Sequence, residues 1–347
     1  MNENAMRRMS RLVVALAGLL LVPFGARGDH TFSDSDGDGI PDKFDLFPCD
    51  ASRTALLSVP GEGEHGLIML EDEWPNKGDM DFNDAVVSYN FAFALDKNGN
   101  VSLINLTFNI LALGGETNMG LATRLPVPKA SAAEITRRVG ESSPESLDAK
   151  TGEEELTIVL VENIRELFDP DEAASAINVR EDSPPVSAPP LEATVVFYEP
   201  LELDTAKTPF DLYFFKSDAP SIEIHLPQYF GTKSMDRSLF GVAYDGSSEE
   251  RFFVDKKGVP YIIHIPKVTK WALEGYSIDR LFPKIVEFAA SGGRYGVNFY
   301  NAPIIMMNAW LAPEGAGAPP VPHFSGSSLL RPDYSCTFKD FRMVNER

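Results

Sequence analysis

Cysteine is scarce. The 347 residues carry two, Cys49 and Cys336, and neither sits in a C-x-x-C pair. That excludes the clustered thiolates of a structural zinc site. It leaves a disulfide, favoured in an oxidising compartment, or two unpaired thiols. Positive charge is also short, with 31 Lys and Arg against 51 Asp and Glu and a net charge of −20. Such a chain has little with which to neutralise the phosphates of nucleic acid or an anionic membrane surface. Catalytic signatures are missing as well: no G-x-S-x-G elbow, no H-E-x-x-H helix and no glycine-rich phosphate loop. His225 and His264 each stand between apolar neighbours in strand-like runs, the setting of a structurally satisfied histidine. The expectation is a protein that is not an enzyme. Paired carboxylates for glycoside hydrolysis leave no local signature, however. A carbohydrate-active enzyme or carbohydrate-binding module on a β-sandwich therefore stands as the alternative.

Long apolar runs are lacking too. Leu12–Val22 follows Arg7, Arg8 and Arg11 and precedes Pro23, Phe24, Gly25 and Ala26. At 11 residues it is shorter than the roughly 20 that span a bilayer, and it reads as the centre of a signal peptide over residues 1–28. That segment carries four arginines and one glutamate, so the remainder has a net charge of −23. The chain is expected to be exported to the periplasm, the cell surface or the medium, with no transmembrane span after cleavage.

What is abundant is turn and β chemistry. Gly and Pro number 26 each, beside 23 Phe and 10 Tyr. Ala85, Val87, Tyr89, Phe91 and Phe93 alternate along one strand. Asp96–Asn100 supplies an Asn-Gly turn, and Ile104, Leu106, Phe108 and Ile110 alternate on the return. Asn105, Thr107 and Asn109 are expected on a wet outer face. Further strands are expected at 192–198, 210–216, 221–226, 251–254 and 261–265, and one helix over 278–290, whereas residues 130–153 show no β pattern. The fold class is mainly β: an antiparallel β-sandwich or jelly-roll-like domain with one short helix, preceded by a calcium-binding loop.

The sharpest chemistry follows the apolar segment. Asp34, Asp36, Asp38, Asp42 and Asp45 occupy positions 1, 3, 5, 9 and 12 of a loop with Gly39 at position 6. Alternate carboxylates converge when such a loop curls round an ion, glycine permits the turn, and the carbonyl of Ile40 at position 7 points inward. This number of hard oxygen ligands suits Ca²⁺ better than Mg²⁺. Pro41 inside the loop and Pro48 just after it leave no room for flanking helices. The passage resembles a single thrombospondin type 3 repeat over residues 29–55. A second acidic group comprises Glu71, Asp72, Asp79, Asp81, Asn83 and Asp84. It reads either as a second calcium site at a sheet edge or as a turn whose side chains cap backbone amides.

Residues 71–87 (EDEWPNKGDMDFNDAVV) resemble the signature of the LruC-domain family of exported bacterial proteins. The likeness recurs at Glu223–Pro227, Ser238–Gly241, Pro260–Pro266 and Phe288–Gly293. One departure is Glu73, where the family pattern carries leucine before the tryptophan. The resemblance implies a domain over residues 56–301 and a surface or envelope protein, with residues 302–347 as an extension. A surface glycan or an envelope protein is the partner it suggests beside calcium.

Overall fold

The computed structural model describes residues 33–169, 176–181, 184–290 and 300. The expected signal peptide, the C-terminal extension and Cys336 lie outside them.

Among the described residues, twelve strands form two antiparallel sheets. They are β1 (Ala55–Val59), β2 (Gly66–Leu70), β3 (Ala85–Leu95), β4 (Val101–Ala112), β5 (Met119–Pro128) and β6 (Ala132–Val139), then β7 (Glu145–Ser146), β8 (Glu155–Val161), β9 (Leu191–Leu201), β10 (Asp211–Lys216), β11 (Ala219–Ile224) and β12 (Ile262–Ile265). The larger sheet runs β12-β2-β3-β4-β9-β6-β7, with β1 continuing alongside β3; the smaller runs β11-β10-β5-β8. The chain therefore crosses between layers repeatedly, as in a β-sandwich.

The β3–β4 hairpin organises the larger sheet. Its turn forms because the Asp96 carboxylate accepts the amides of Asn98 and Asn100, both at 2.8 Å, while Gly99 takes the left-handed conformation. The register then pairs Phe91 with Leu106 and Phe93 with Ile104. The five alternating residues of β3 and all four expected inward residues of β4 enter the core between the sheets, with Leu121, Leu125, Leu212 and Phe214. The outer face is less wet than expected. Thr107 and Asn109 are buried, and Asn109 donates to Ser88 Oγ at 3.1 Å.

Every residue of β2 is buried, although an alternating strand exposes one face. Ile68 and Leu70 face the sandwich core. Leu67 and Met69 face a second core on the opposite side, closed by Trp271, Leu273, Ile278, Leu281, Phe282 and Ile285. The expected helix over 278–290 is shorter: a turn of 3₁₀-helix at Ile278–Arg280 is followed by α1 (Ile285–Ala290). Pro283 lies between them, where it cannot donate into a continuous helix. Two further expectations are corrected. Residues 251–254 form no strand beyond the isolated bridge Val254–Pro260. Residues 132–139, expected to lack β pattern, form β6, which buries Ile135 alone and so shows little hydrophobic alternation. No helix among the described residues is long and apolar enough to cross a membrane.

Candidate metal centres

Both acidic groups fold into compact carboxylate clusters. In the first, oxygens of Asp34, Asp36 and Asp38 lie within 4.8 Å of one another. Local hydrogen bonds set this curl: Asp34 accepts from Gly37 N at 2.8 Å and Gly39 N at 3.1 Å, and Asp38 accepts from Ile40 N at 2.6 Å. Asp45 is buried beside them, accepting from Phe47 N at 2.7 Å. One oxygen each of Asp36, Asp38 and Asp45 is buried with no hydrogen-bond partner. Burial, reinforced by the Asp38 charge, raises the pKa of Asp36; burial with the charges of Asp38 and Asp36 raises that of Asp45. Asp42 turns elsewhere, its carboxylate accepting from Ser35 N at 2.7 Å and Ser35 Oγ at 2.9 Å. The loop is secured to the hairpin through Thr54 N to Leu95 O at 2.8 Å. Cys49 is disulfide-bonded, while its expected partner, Cys336, lies outside the described residues.

The second cluster sits between β2 and β3. Oxygens of Glu71, Asp79 and Asp81 lie within 4.8 Å of one another, with Glu71 and Asp81 buried and Asp79 exposed at the rim. Met80 (φ 71°) and Phe82 (φ 57°) both adopt the left-handed region, which bulky residues avoid. Strain of this kind costs of order 1–3 kcal/mol per residue and concentrates at functional loops. Here the kinks place Phe82 N on Glu71 Oε1 at 2.8 Å and Asn83 N on Asp81 Oδ1 at 3.1 Å. A Cβ on Gly78 would lie 1.7 Å from Glu71 Oε2, so only glycine lets that carboxylate in.

Electrostatics mark the pocket as a place of confined like charge. Burial, then the charges of Asp81 and Asp79, push Glu71 up to about 8. Burial and Asp79 push Asp81 up to about 7. Asp84, whose carboxylate accepts from Asp72 N at 2.8 Å, is pushed up to about 9 by burial and by Asp72 and Glu71. Asp72 is raised by burial. Glu71 Oε2, Asp72 Oδ2 and Asn83 Oδ1 are buried and lack hydrogen-bond partners. Oxygens so arranged are satisfied either by bound protons or by a shared cation. Sequence spacing missed Glu274, which belongs to a distant loop; burial and the charge of Asp79 raise its pKa. No local pattern announces it.

The two histidines singled out in the sequence serve structural networks. His264 in β12 meets Tyr89 Oη at 2.7 Å, and burial lowers its pKa to about 4. His225, just beyond β11, is fully buried between Asp211 (Nδ1 to Oδ1, 2.8 Å) and Glu223 (Nε2 to Oε2, 2.9 Å).

With this architecture in view, a family model described as "Domain of unknown function (DUF4842)" matches residues 99–300. The chain belongs to the DUF4842 family. The matched stretch begins in the β3–β4 turn, so both acidic loops precede it while Glu274 and the His225 network lie within it. No curated protein matches the sequence. Among solved structures, one described as that of a "Putative lipoprotein from Bacteroides ovatus" is similar, with a TM-score of 0.55 and 16% identity over 74% of this chain and 76% of the other. At that identity the likeness establishes a shared fold. DUF4842 is thus, in this chain, a mainly β antiparallel sandwich.

Proposed function

We propose that this DUF4842 protein is an exported, calcium-binding β module of the LruC-domain type that serves binding or structural roles in the cell envelope and has no catalytic activity. One calcium ion is held by the thrombospondin type 3-like loop through Asp34, Asp36, Asp38 and Asp45, with the Ile40 carbonyl as the further ligand read from the spacing. A second is held by Glu71, Asp79 and Asp81. The observation that carries the reading is that both clusters bring carboxylates within 4.8 Å while leaving buried oxygens with no hydrogen-bond donor. Buried anionic oxygens demand compensation, and a hard divalent cation provides it. Export is supported by the basic and apolar character of residues 7–22, and by the description of the structural neighbour as a lipoprotein. A surface glycan or another envelope protein is the proposed partner. The non-catalytic reading is supported by the histidines, which are engaged in buried contacts, and by acids grouped at ligand spacing.

Calorimetric titration of calcium into the exported form tests the reading. Two ions per chain are expected, the loop ion binding in the range of about 10⁻⁴ to 10⁻³ M typical of extracellular modules. Asp36→Ala should lose the loop ion and Asp81→Ala the pocket ion, each leaving the other in place. If Asp81 only caps the turn through Asn83 N, Asp81→Ala should instead cost about 0.5–2 kcal/mol whether or not calcium is present. That outcome, with one ion in the wild type, would remove the second site.

A further inference from the structure

The pocket at Glu71, Asp79 and Asp81 does not end with those three side chains. Asn83 is completely buried, and its Nδ2 donates to Ala272 O at 3.3 Å. Its Oδ1 therefore points the opposite way, where it has no hydrogen-bond partner. Glu274 borders the same space. Asn83 Oδ1 and Glu274 Oε2 lie 1.8 and 2.8 Å from the point that a Cβ on Gly114 would occupy, so glycine leaves open one small space shared by the two oxygens. Asn83 Oδ1, buried and without a donor, is an oxygen that a bound cation would satisfy, and Glu274, whose charge Arg180 partly offsets, borders the same space. Three carboxylates binding through one oxygen each supply three of the six to eight oxygens that calcium takes, leaving places for further side chains, carbonyls or water.

The same loop carries the cover of the second core. Gly275 N donates to Asp81 Oδ2 at 3.0 Å and Ile278 N to Met80 O at 2.6 Å. Beyond that junction, Ile278, Leu281, Phe282 and Ile285 lie on Leu67, Met69 and Val86. Without a bound cation, the ionised forms of Asp79, Asp81 and Glu274 repel one another across this junction, a repulsion that Arg180 offsets in part at Glu274. With one, they attract a common centre.

Resting on the calcium reading above, we propose that Glu274 and Asn83 complete the coordination of the pocket cation, and that the ion thereby fastens the segment Trp271–Ile285 onto the outer face of the larger sheet. The ion joins residues that precede the DUF4842-matched stretch to a loop near its far end. Calcium thus adds to the hold of that segment on the face it covers.

Hydrogen exchange followed by mass spectrometry on the full exported chain, with calcium and with chelator, tests this. Calcium should slow exchange across 271–285 in the wild type and in Asp36→Ala, which lacks only the loop ion. In Glu274→Gln the slowing should be lost and the pocket affinity fall on the order of tenfold, with the loop ion unaffected. Glu274 is exposed at the rim, so the substitution leaves the core intact. Glu274→Asp, which keeps the charge but shortens the reach, should fall between the two. Calcium protection of 271–285 that is equal in wild type and Glu274→Gln would overturn the proposal while leaving the pocket ion in place. Failure of Asp81→Ala to alter calcium stoichiometry would instead remove the underlying site.

Discussion

Replacing Trp74 with alanine is expected to lower stability by about 3–5 kcal/mol, in the range for emptying a fully buried aromatic site. Trp74 has no exposed surface and packs against Phe253 and Phe240 at centroid distances of 5.0 and 5.5 Å. Its indole N–H donates to Asp245 Oδ1 at 2.8 Å. Asp245 also accepts from Gly241 N at 2.7 Å and Ser247 Oγ at 2.6 Å, so the tryptophan ties the acidic loop to the 241–247 turn. The alanine variant both opens a cavity and removes one of these bonds. Trp74→Phe should cost less, since it keeps most of the apolar volume. Equilibrium denaturation measures both. A loss below about 1 kcal/mol for Trp74→Ala would show that the loop is held elsewhere.

Glu223→Gln is expected to cost a similar amount, about 3–5 kcal/mol, because it removes one member of a buried ionic network. His225 has a carboxylate against each ring nitrogen, so both nitrogens donate and the ring carries a positive charge. Lys150 Nζ donates to Glu223 Oε1 at 3.0 Å, Thr232 Oγ1 donates to the same oxygen at 2.6 Å, and Arg124 pairs with Asp211 at 2.5 Å. Tyr213 stacks on the imidazole at 4.2 Å. Burial alone would raise Glu223, but the hydrogen bond and charge of His225, with Thr232 and Lys150, hold it at about 2. Burial alone would lower His225, and Asp211 and Glu223 reverse that and raise it.

The signs then fix the pH dependence. The contribution of Glu223 is present above its ordinary value of 4.5 and is lost as pH falls toward about 2. That of His225 is complete below its ordinary 6.5 and is lost as pH rises through its raised value. The stability difference between wild type and Glu223→Gln should therefore shrink as pH drops from 4.5 toward 2. A difference that stays constant across that interval would mean Glu223 is not ionised in the fold.

How much of this was readable in advance depended on the range of the interactions. The β3–β4 hairpin was legible because its period-two pattern and its Asn-Gly turn are both local. The curl of Asp34, Asp36 and Asp38 was legible for the same reason: alternate aspartates are drawn together by hydrogen bonds to amides within the loop. Its Asp42 departs because a nearer donor, Ser35, takes the carboxylate. β6 was not legible, since a strand that buries Ile135 alone leaves little alternation to detect. Apolar periodicity runs through 278–290, but Pro283 divides that stretch into the 3₁₀ turn Ile278–Arg280 and α1. Glu274 and the clamp on His225 were beyond reach. Each is assembled by tertiary contacts, and an acidic residue in a loop carries no mark of what faces it.

The central claim, two calcium ions in two acidic cages, is tested most directly by anomalous diffraction from crystals of residues 29–347 grown with calcium. One anomalous peak is expected among Asp34, Asp36, Asp38 and Asp45, and a second among Glu71, Asp79 and Asp81, each with carboxylate oxygens at about 2.3–2.6 Å. Ordered water in both cages at saturating calcium, with no anomalous signal in either, would contradict the account.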